Sequence, residues 1–370
     1  MEKVIYNKRN QLFWGGSIYM ESKKFTGYVG TYTKRGSKGI YSFTLDVENG
    51  TLSSVKEAAH VDNPTYLTLS KDEKYLYSVA KVGEEGGLAS YAVTGGELKE
   101  LNTVTAEGAP PCHVTTNTEN TEIYTANYHK GTIELYEVNE QDGTVNTALD
   151  IVAHEGSGPH ERQEKPHTHY AGRTPDEKYI LAIDLGSDQI VTYVREGKEL
   201  KQVATLSTKE GSGPRHIAFH PNGKYAYVMT EISSEVIVLR YDEQSGAFTE
   251  LQYISTIPED FTENNQGSAI YLSHDGRFVY AGNRGHNSIA VFKVHGDSGL
   301  LTFVEHTSTV GDWPRDFVLD PTGEFVVASN QESDNLVLFR RDEETGRLSL
   351  LQKDVTVPEP VCVKFATLPQ

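Results

Sequence analysis

Cysteine is nearly absent from this chain: Cys112 and Cys362 are the only two in 370 residues. That excludes a disulfide-stapled fold and fits a reducing compartment, so a cytoplasmic location is expected. Positive charge is also short. Lys and Arg number 34 against 52 Asp and Glu, a formal net charge of −18. Such a balance argues against nucleic acid or an anionic membrane as a partner. No apolar run is long enough to span a bilayer as a helix. Missing too are a Gly-rich phosphate loop, a serine nucleophile elbow, a calcium-loop pattern and any sustained helical periodicity.

What the chain has instead is a repeat. Gly213-Pro-Arg-His-Ile-Ala-Phe-His-Pro-Asn-Gly-Lys-Tyr-Ala-Tyr-Val-Met-Thr-Glu231 reads as two alternating strands joined by the turn Pro221-Asn-Gly. The same turn position recurs at Lys71-Asp-Glu, Thr118-Glu-Asn, Pro175-Asp-Glu, His274-Asp-Gly and Pro321-Thr-Gly. Positions equivalent to Pro214 are Pro64, Pro111, Thr168, Gly267, Pro314 and Pro360, a period of about 46–57 residues, the range of propeller blades. Two further strands follow in each unit, joined by a loop with a fixed glycine at Gly50, Gly143, Gly246, Gly299 and Gly346. Four antiparallel strands per unit make a blade. Pro360 to Ala366 supplies one strand at the C-terminus, and Phe25 onward supplies the other three of the same blade. The expectation is an all-β, seven-bladed β-propeller over residues 24–370, one blade closed by both termini. Residues 1–23 read as an N-terminal extension outside the fold, with Met20 expected as the native start.

In such a hairpin the start of the first strand and the end of the second share one sheet edge. Positions matching Arg215 are Thr65, Cys112, His169, Ser268, Arg315 and Val361. Those matching Glu231 are Tyr32, Lys81, Tyr128, Leu185, Arg284 and Gln331, preceded by residues such as Asp184 and Asn283. One side of this ring is polar and charged through His169, Arg215, Glu231, Arg284 and Arg315. Converging arginines trap anions, because the guanidinium fork matches phosphate and carboxylate oxygens. A histidine and a glutamate beside them supply acid–base groups. A water-filled channel mouth, merely solvated by these charges, is the bland alternative. His154, His160, His167 and His169 cluster around one long loop, but their spacing is irregular, and neither a metal nor a cofactor is expected. Cys112 and Cys362 read as small core residues.

The stretch from Gly211 to Glu231 resembles the propeller-type 6-phosphogluconolactonases. So do Tyr28-Val-Gly-Thr-Tyr-Thr33, Ser273-His-Asp-Gly-Arg-Phe-Val-Tyr-Ala-Gly-Asn-Arg284 and Trp313-Pro-Arg-Asp316. The resemblance covers about residues 24–370. It implies hydrolysis of 6-phospho-D-glucono-1,5-lactone to 6-phosphogluconate, a step of the pentose phosphate pathway, on a small anionic sugar-lactone substrate. It implies a catalytic set of His169, Arg215, Glu231 and Arg284, with Arg315, Gln331, Asp184, Tyr32 and Asn283 as substrate-binding candidates. Either Glu231 or His169 serves as base, and His169 is expected to titrate near its free value. A muconate-type lactonizing cycloisomerase and a non-catalytic anion- or partner-binding propeller are the alternatives.

Overall fold

The computed structural model describes residues 11–14, 17–20 and 24–367. Residues 24–367 form seven four-stranded antiparallel sheets, each in simple sequential order. Blade one combines Pro360–Phe365 with Lys24–Thr31, Gly39–Asp46 and Thr51–His60. The two termini meet in register there, with Gly27 opposite Phe365 and Val29 opposite Val363. Blades two to seven begin with the inner strands Leu67–Leu69, His113–Thr116, Thr168–Arg173, Pro214–Phe219, Gln266–Leu272 and Pro314–Leu319. Gln11–Trp14 and Ser17–Met20 pair as a separate antiparallel hairpin that joins none of the seven blades. The expectation that translation starts at Met20 concerns a segment largely outside the described residues.

The turns follow from backbone chemistry. The third residue of each repeated turn adopts positive φ: Gly223, Gly276 and Gly323, but also Glu73, Asn120 and Glu177. Three blades thus carry the left-handed residue without glycine, at a small conformational cost. Around that turn a hydroxyl or carboxylate replaces the missing ladder bonds, as where Ser273 Oγ accepts from the Phe278 amide at 3.0 Å. Gly246 shows why the second loop keeps its glycine. It sits at φ +71°, and a Cβ there would lie 2.7 Å from Thr192 and 2.9 Å from Tyr179 of the preceding blade.

Each strand buries alternate residues on its two faces, and each face packs on a neighbouring blade. The apolar core is therefore divided into clusters between blades. Leu181 and Ile183 of blade four, for example, pack against Ile217, Ala226 and Val228 of blade five. Phe325, Val327 and Leu338 of blade seven pack against Phe43, Leu45 and Val363 of blade one, which closes the ring. Burial of this kind contributes about 25 cal/mol per Å² of apolar surface. The closed ring fixes where the inner strands start, and those starts define the site.

Candidate active site

The inner strands do not enter the site in regular register. In blade five Pro214 pairs with Thr230 and His216 with Met229, leaving Arg215 without a partner. The same irregularity isolates His169 in blade four, Arg315 in blade seven and Val361 in blade one. A bulge of this type re-aims the extra residue. Here it turns His169 and Arg315 into the cavity, while Arg215 reaches Glu231 without lining the cavity itself. The second strands deliver the other half: Glu231 follows Tyr225–Thr230, and Arg284 ends Phe278–Arg284.

Together they line a cavity of about 580 Å³, bounded by Tyr32, Cys112, His169, Glu231, Arg284 and Arg315 among others, a volume typical of small-molecule sites. Lys81 and Arg162 also line it, so four cationic side chains face two carboxylates, Glu84 and Glu231. The local excess of positive charge opposes the sign of the whole protein.

Glu231 is the hub. Its Oε2 accepts from Arg215 Nε at 3.0 Å and from an Arg284 terminal nitrogen at 2.7 Å. Its Oε1 is bonded by Arg162. Glu231, Arg215 and Arg284 are each at most 3 % exposed. Burial alone would push the carboxyl up, but Arg284, Arg215 and Arg162 together outweigh it and hold Glu231 well below the usual carboxylate range. Burial, with Arg215 and Arg315 nearby, draws Arg284 down to about 9 against the pull of Glu231, which leaves it cationic at neutral pH. Arg215 also donates to the Ser268 carbonyl at 2.7 Å. Arg315 differs from these two: no ion pair or hydrogen bond engages its guanidinium among the described residues, and it stands 5.6 Å over the Tyr32 ring.

His169 departs from expectation in one respect. Burial, then Arg215, pushes its imidazole well below the ordinary histidine value, so the ring is neutral rather than poised near its free pKa. Its tautomer follows from its neighbours. An Arg215 terminal nitrogen, which can only donate, lies 3.5 Å from His216 Nδ1. His216, itself held neutral by burial, then carries its proton on Nε2. That proton is donated to His169 Nδ1 at 3.2 Å. His169 consequently keeps its own proton on Nε2. Beneath these rings His113, Tyr66 and Tyr170 pack around His216 at centroid distances of 5.1–6.2 Å. Lys364 bonds the Tyr271 hydroxyl at 2.8 Å nearby. The channel below the cavity is thus occupied by side chains.

Three expected contact residues are placed elsewhere. Asp184 is fully buried, with Oδ1 accepting from the amides of His167, Gly186 and Ser187 and Oδ2 facing His154 Nδ1 at 3.0 Å. Asn283 ties Thr256, in the connection from blade five, to Ser288 of blade six. Gln331 donates to Glu332 at 2.6 Å. Asn283 directly precedes Arg284, whose side chain does reach the cavity; the strand ends at Asp184 and beside Gln331 contribute no lining residue. The histidines of the long loop are committed to protein partners: His154 between Asp184 and Tyr193, His160 to the Arg162 amide, His167 to the Tyr128 carbonyl. Among the described residues no group of three or more His, Cys, Asp or Glu is arranged to hold a metal ion. Both cysteines are free, and burial pushes the Cys112 thiol up to about 11.

Arg162 is the residue that sequence reasoning missed. Its signal was the irregular period. Residues 154–167 form the longest connection between two blades, and that extra length carries Arg162 over the mouth.

The family model described as "Lactonase, 7-bladed beta-propeller" matches residues 26–365. A 6-phosphogluconolactonase of Bacillus subtilis is 56 % identical over 344 residues, covering 92 % of this chain and 98 % of that one. The crystal structure of a Lactobacillus plantarum protein superposes with a TM-score of 0.89 at 47 % identity, covering 93 % of this chain and 99 % of that one. A periplasmic gluconolactonase of Pseudomonas aeruginosa superposes with a TM-score of 0.87 at 32 % identity, covering 94 % and 100 %.

Proposed function

The chain belongs to the seven-bladed β-propeller lactonases, and we propose that it hydrolyses 6-phospho-D-glucono-1,5-lactone to 6-phosphogluconate at the channel mouth. The observation that carries this reading is the grouping in one cavity of a carboxylate held by Arg215 and Arg284, a neutral His169 and an unpaired Arg315. The 56 % identity to the Bacillus enzyme supports the same substrate.

Arg315, free of an acid partner, takes the substrate phosphate, with Tyr32 beneath it. Glu231 is the base. It receives a proton from water as the water oxygen attacks the lactone carbonyl carbon. The carbonyl oxygen gains negative charge and is stabilised by Arg284, a cavity-lining donor already fixed by the ring, while Arg215 holds Glu231 in place. Collapse breaks the ring carbon–oxygen bond. The ring oxygen leaves as a hydroxyl, taking back the proton from Glu231. The His169 Nε2–H donates a hydrogen bond to the substrate, and the ring's neutral, hydrogen-bonded state supports Glu231 as the base. A base of low pKa suffices because a lactone is an activated ester that opens slowly by itself. A phosphorylated sugar does not cross membranes unaided, which supports a cytoplasmic setting.

The test is the rate of 6-phosphogluconolactone opening with enzyme, corrected for spontaneous opening, with cis,cis-muconate as a parallel substrate. Acceleration with the lactone is expected. Turnover of muconate alone would favour the cycloisomerase, and turnover of neither would favour a binding propeller.

A further inference from the structure

Two cationic side chains of the cavity, Lys81 and Arg162, have no part in that scheme, and of these Arg162 is the one bonded to Glu231. Arg162 comes from a single 3-10 turn, Glu161–Gln163, in the long connection, not from a strand end. The turn itself is pinned. Gln163 is fully buried, and its Nε2 donates to the Leu185 carbonyl and to Asp188 Oδ1, each at 2.8 Å. The His160 ring accepts from the Arg162 amide at 3.1 Å, and Gln163 Oε1 accepts from the His160 amide at 3.2 Å. The backbone is therefore fixed while the Arg162 side chain extends over the cavity. That side chain is 31 % exposed, against 3 % for Arg215 and Arg284.

The two oxygens of Glu231 are consequently unequal. Oε2 is held by two buried arginines on strand ends. Oε1 is held by the exposed Arg162 alone. A base needs an open lone pair, and only Oε1 can be opened without separating buried pairs, which would be costly.

We propose that Arg162 is a specificity-determining residue that leaves Glu231 Oε1 to bind the substrate phosphate, freeing the base only when a phosphorylated lactone is bound. The proposal rests on the reading that the substrate is a phosphorylated lactone. A phosphate carries more charge than a carboxylate already shared by two other arginines, and it accepts the guanidinium fork bidentately. Departure of Arg162 also removes one of the charges that hold the Glu231 carboxyl down, so the base strengthens as it is uncovered. Unphosphorylated lactone offers no such anion, and Arg162 stays on Oε1.

The experiment measures kcat and KM for glucono-1,5-lactone and its 6-phosphate with wild type, Arg162→Ala and Arg162→Lys. Wild type is expected to prefer the phosphorylated lactone strongly. Arg162→Ala is expected to lose at least tenfold more kcat/KM on the phosphorylated lactone than on the plain one, with both KM and kcat contributing. Arg162→Lys keeps the charge without the fork, so it should recover part of the preference; it also carries the test if the alanine variant does not fold. An equal loss on both lactones, or no loss on either, overturns the role assigned to Arg162. Failure of wild type to accelerate either lactone overturns the underlying reading instead.

Discussion

Glu231→Gln separates the electrostatic account of the site from a purely catalytic one. Channel-mouth residues are usually solvated and contribute little to stability, and on the sequence alone this substitution would be expected to leave the fold untouched. The structure argues otherwise, because Glu231 is 3 % exposed and is the shared counter-charge of Arg215 and Arg284. Removing one partner of a buried ion pair typically costs about 3–5 kcal/mol. Glutamine retains one acceptor oxygen, and the exposed Arg162 is discounted for solvent screening, so the low end, about 3 kcal/mol, is expected. For a chain of this size 1 kcal/mol corresponds to roughly 2 °C, giving a fall in Tm of about 6 °C at neutral pH. Inorganic phosphate should reverse much of it, since an anion at 100 times its Kd contributes about 2.7 kcal/mol and the variant no longer competes for the arginines. The pH dependence has a definite sign. A carboxyl held below its unfolded value contributes stability above the ordinary range, and that contribution disappears as pH falls through the depressed folded value. Calorimetry of wild type and variant, with and without phosphate and across acidic pH, reads all of this. Equal Tm values with equal phosphate shifts would refute the reasoning.

Arg315→Ala should raise KM about tenfold to a hundredfold with kcat nearly constant, as expected for loss of one charge-assisted bond worth about 1.5–3 kcal/mol in ground and transition states alike; a fall in kcat at constant KM would move Arg315 to the oxyanion. The pH profile of kcat at saturating substrate, which is free of the substrate phosphate's own ionisation, should show no inflection near 6.5, because His169 and His216 are already neutral there; an inflection between pH 6 and 7 would return His169 to the role of base. Activity should survive exhaustive chelation, and loss restored by zinc or calcium would direct attention to the loop of residues 154–167.

Much of this molecule was legible because its repeats state the same local chemistry many times. A turn of fixed position, a loop glycine and two-residue alternation recur, so the seven blades and the terminal closure could be counted. The register that joined Arg215 to Glu231 and Arg284 was legible for the same reason. Hidden was the bulge that actually aims Arg215, His169 and Arg315, since an unpaired residue in an inner strand leaves the sequence alternation almost unchanged. The fates of Asp184 and Asn283 were equally hidden. Asp184 spends a carboxylate oxygen on loop amides and Asn283 bonds the Thr256 hydroxyl, and pattern alone does not distinguish that from an open site. Histidine tautomers and the depressed His169 value depend on burial depth and on which donor stands next to which ring, quantities set only by tertiary packing.

The central claim is that Glu231 takes the proton and His169 gives a hydrogen bond within an arginine-lined lactonase site. Turnover of 6-phosphogluconolactone by Glu231→Gln and His169→Asn, each against wild type under saturating substrate and corrected for spontaneous opening, tests it most directly. In Glu231→Gln kcat should fall by about 10²-fold or more, the size of a lost general base, with a comparable fall in His169→Asn. Near-normal turnover in both variants would contradict it.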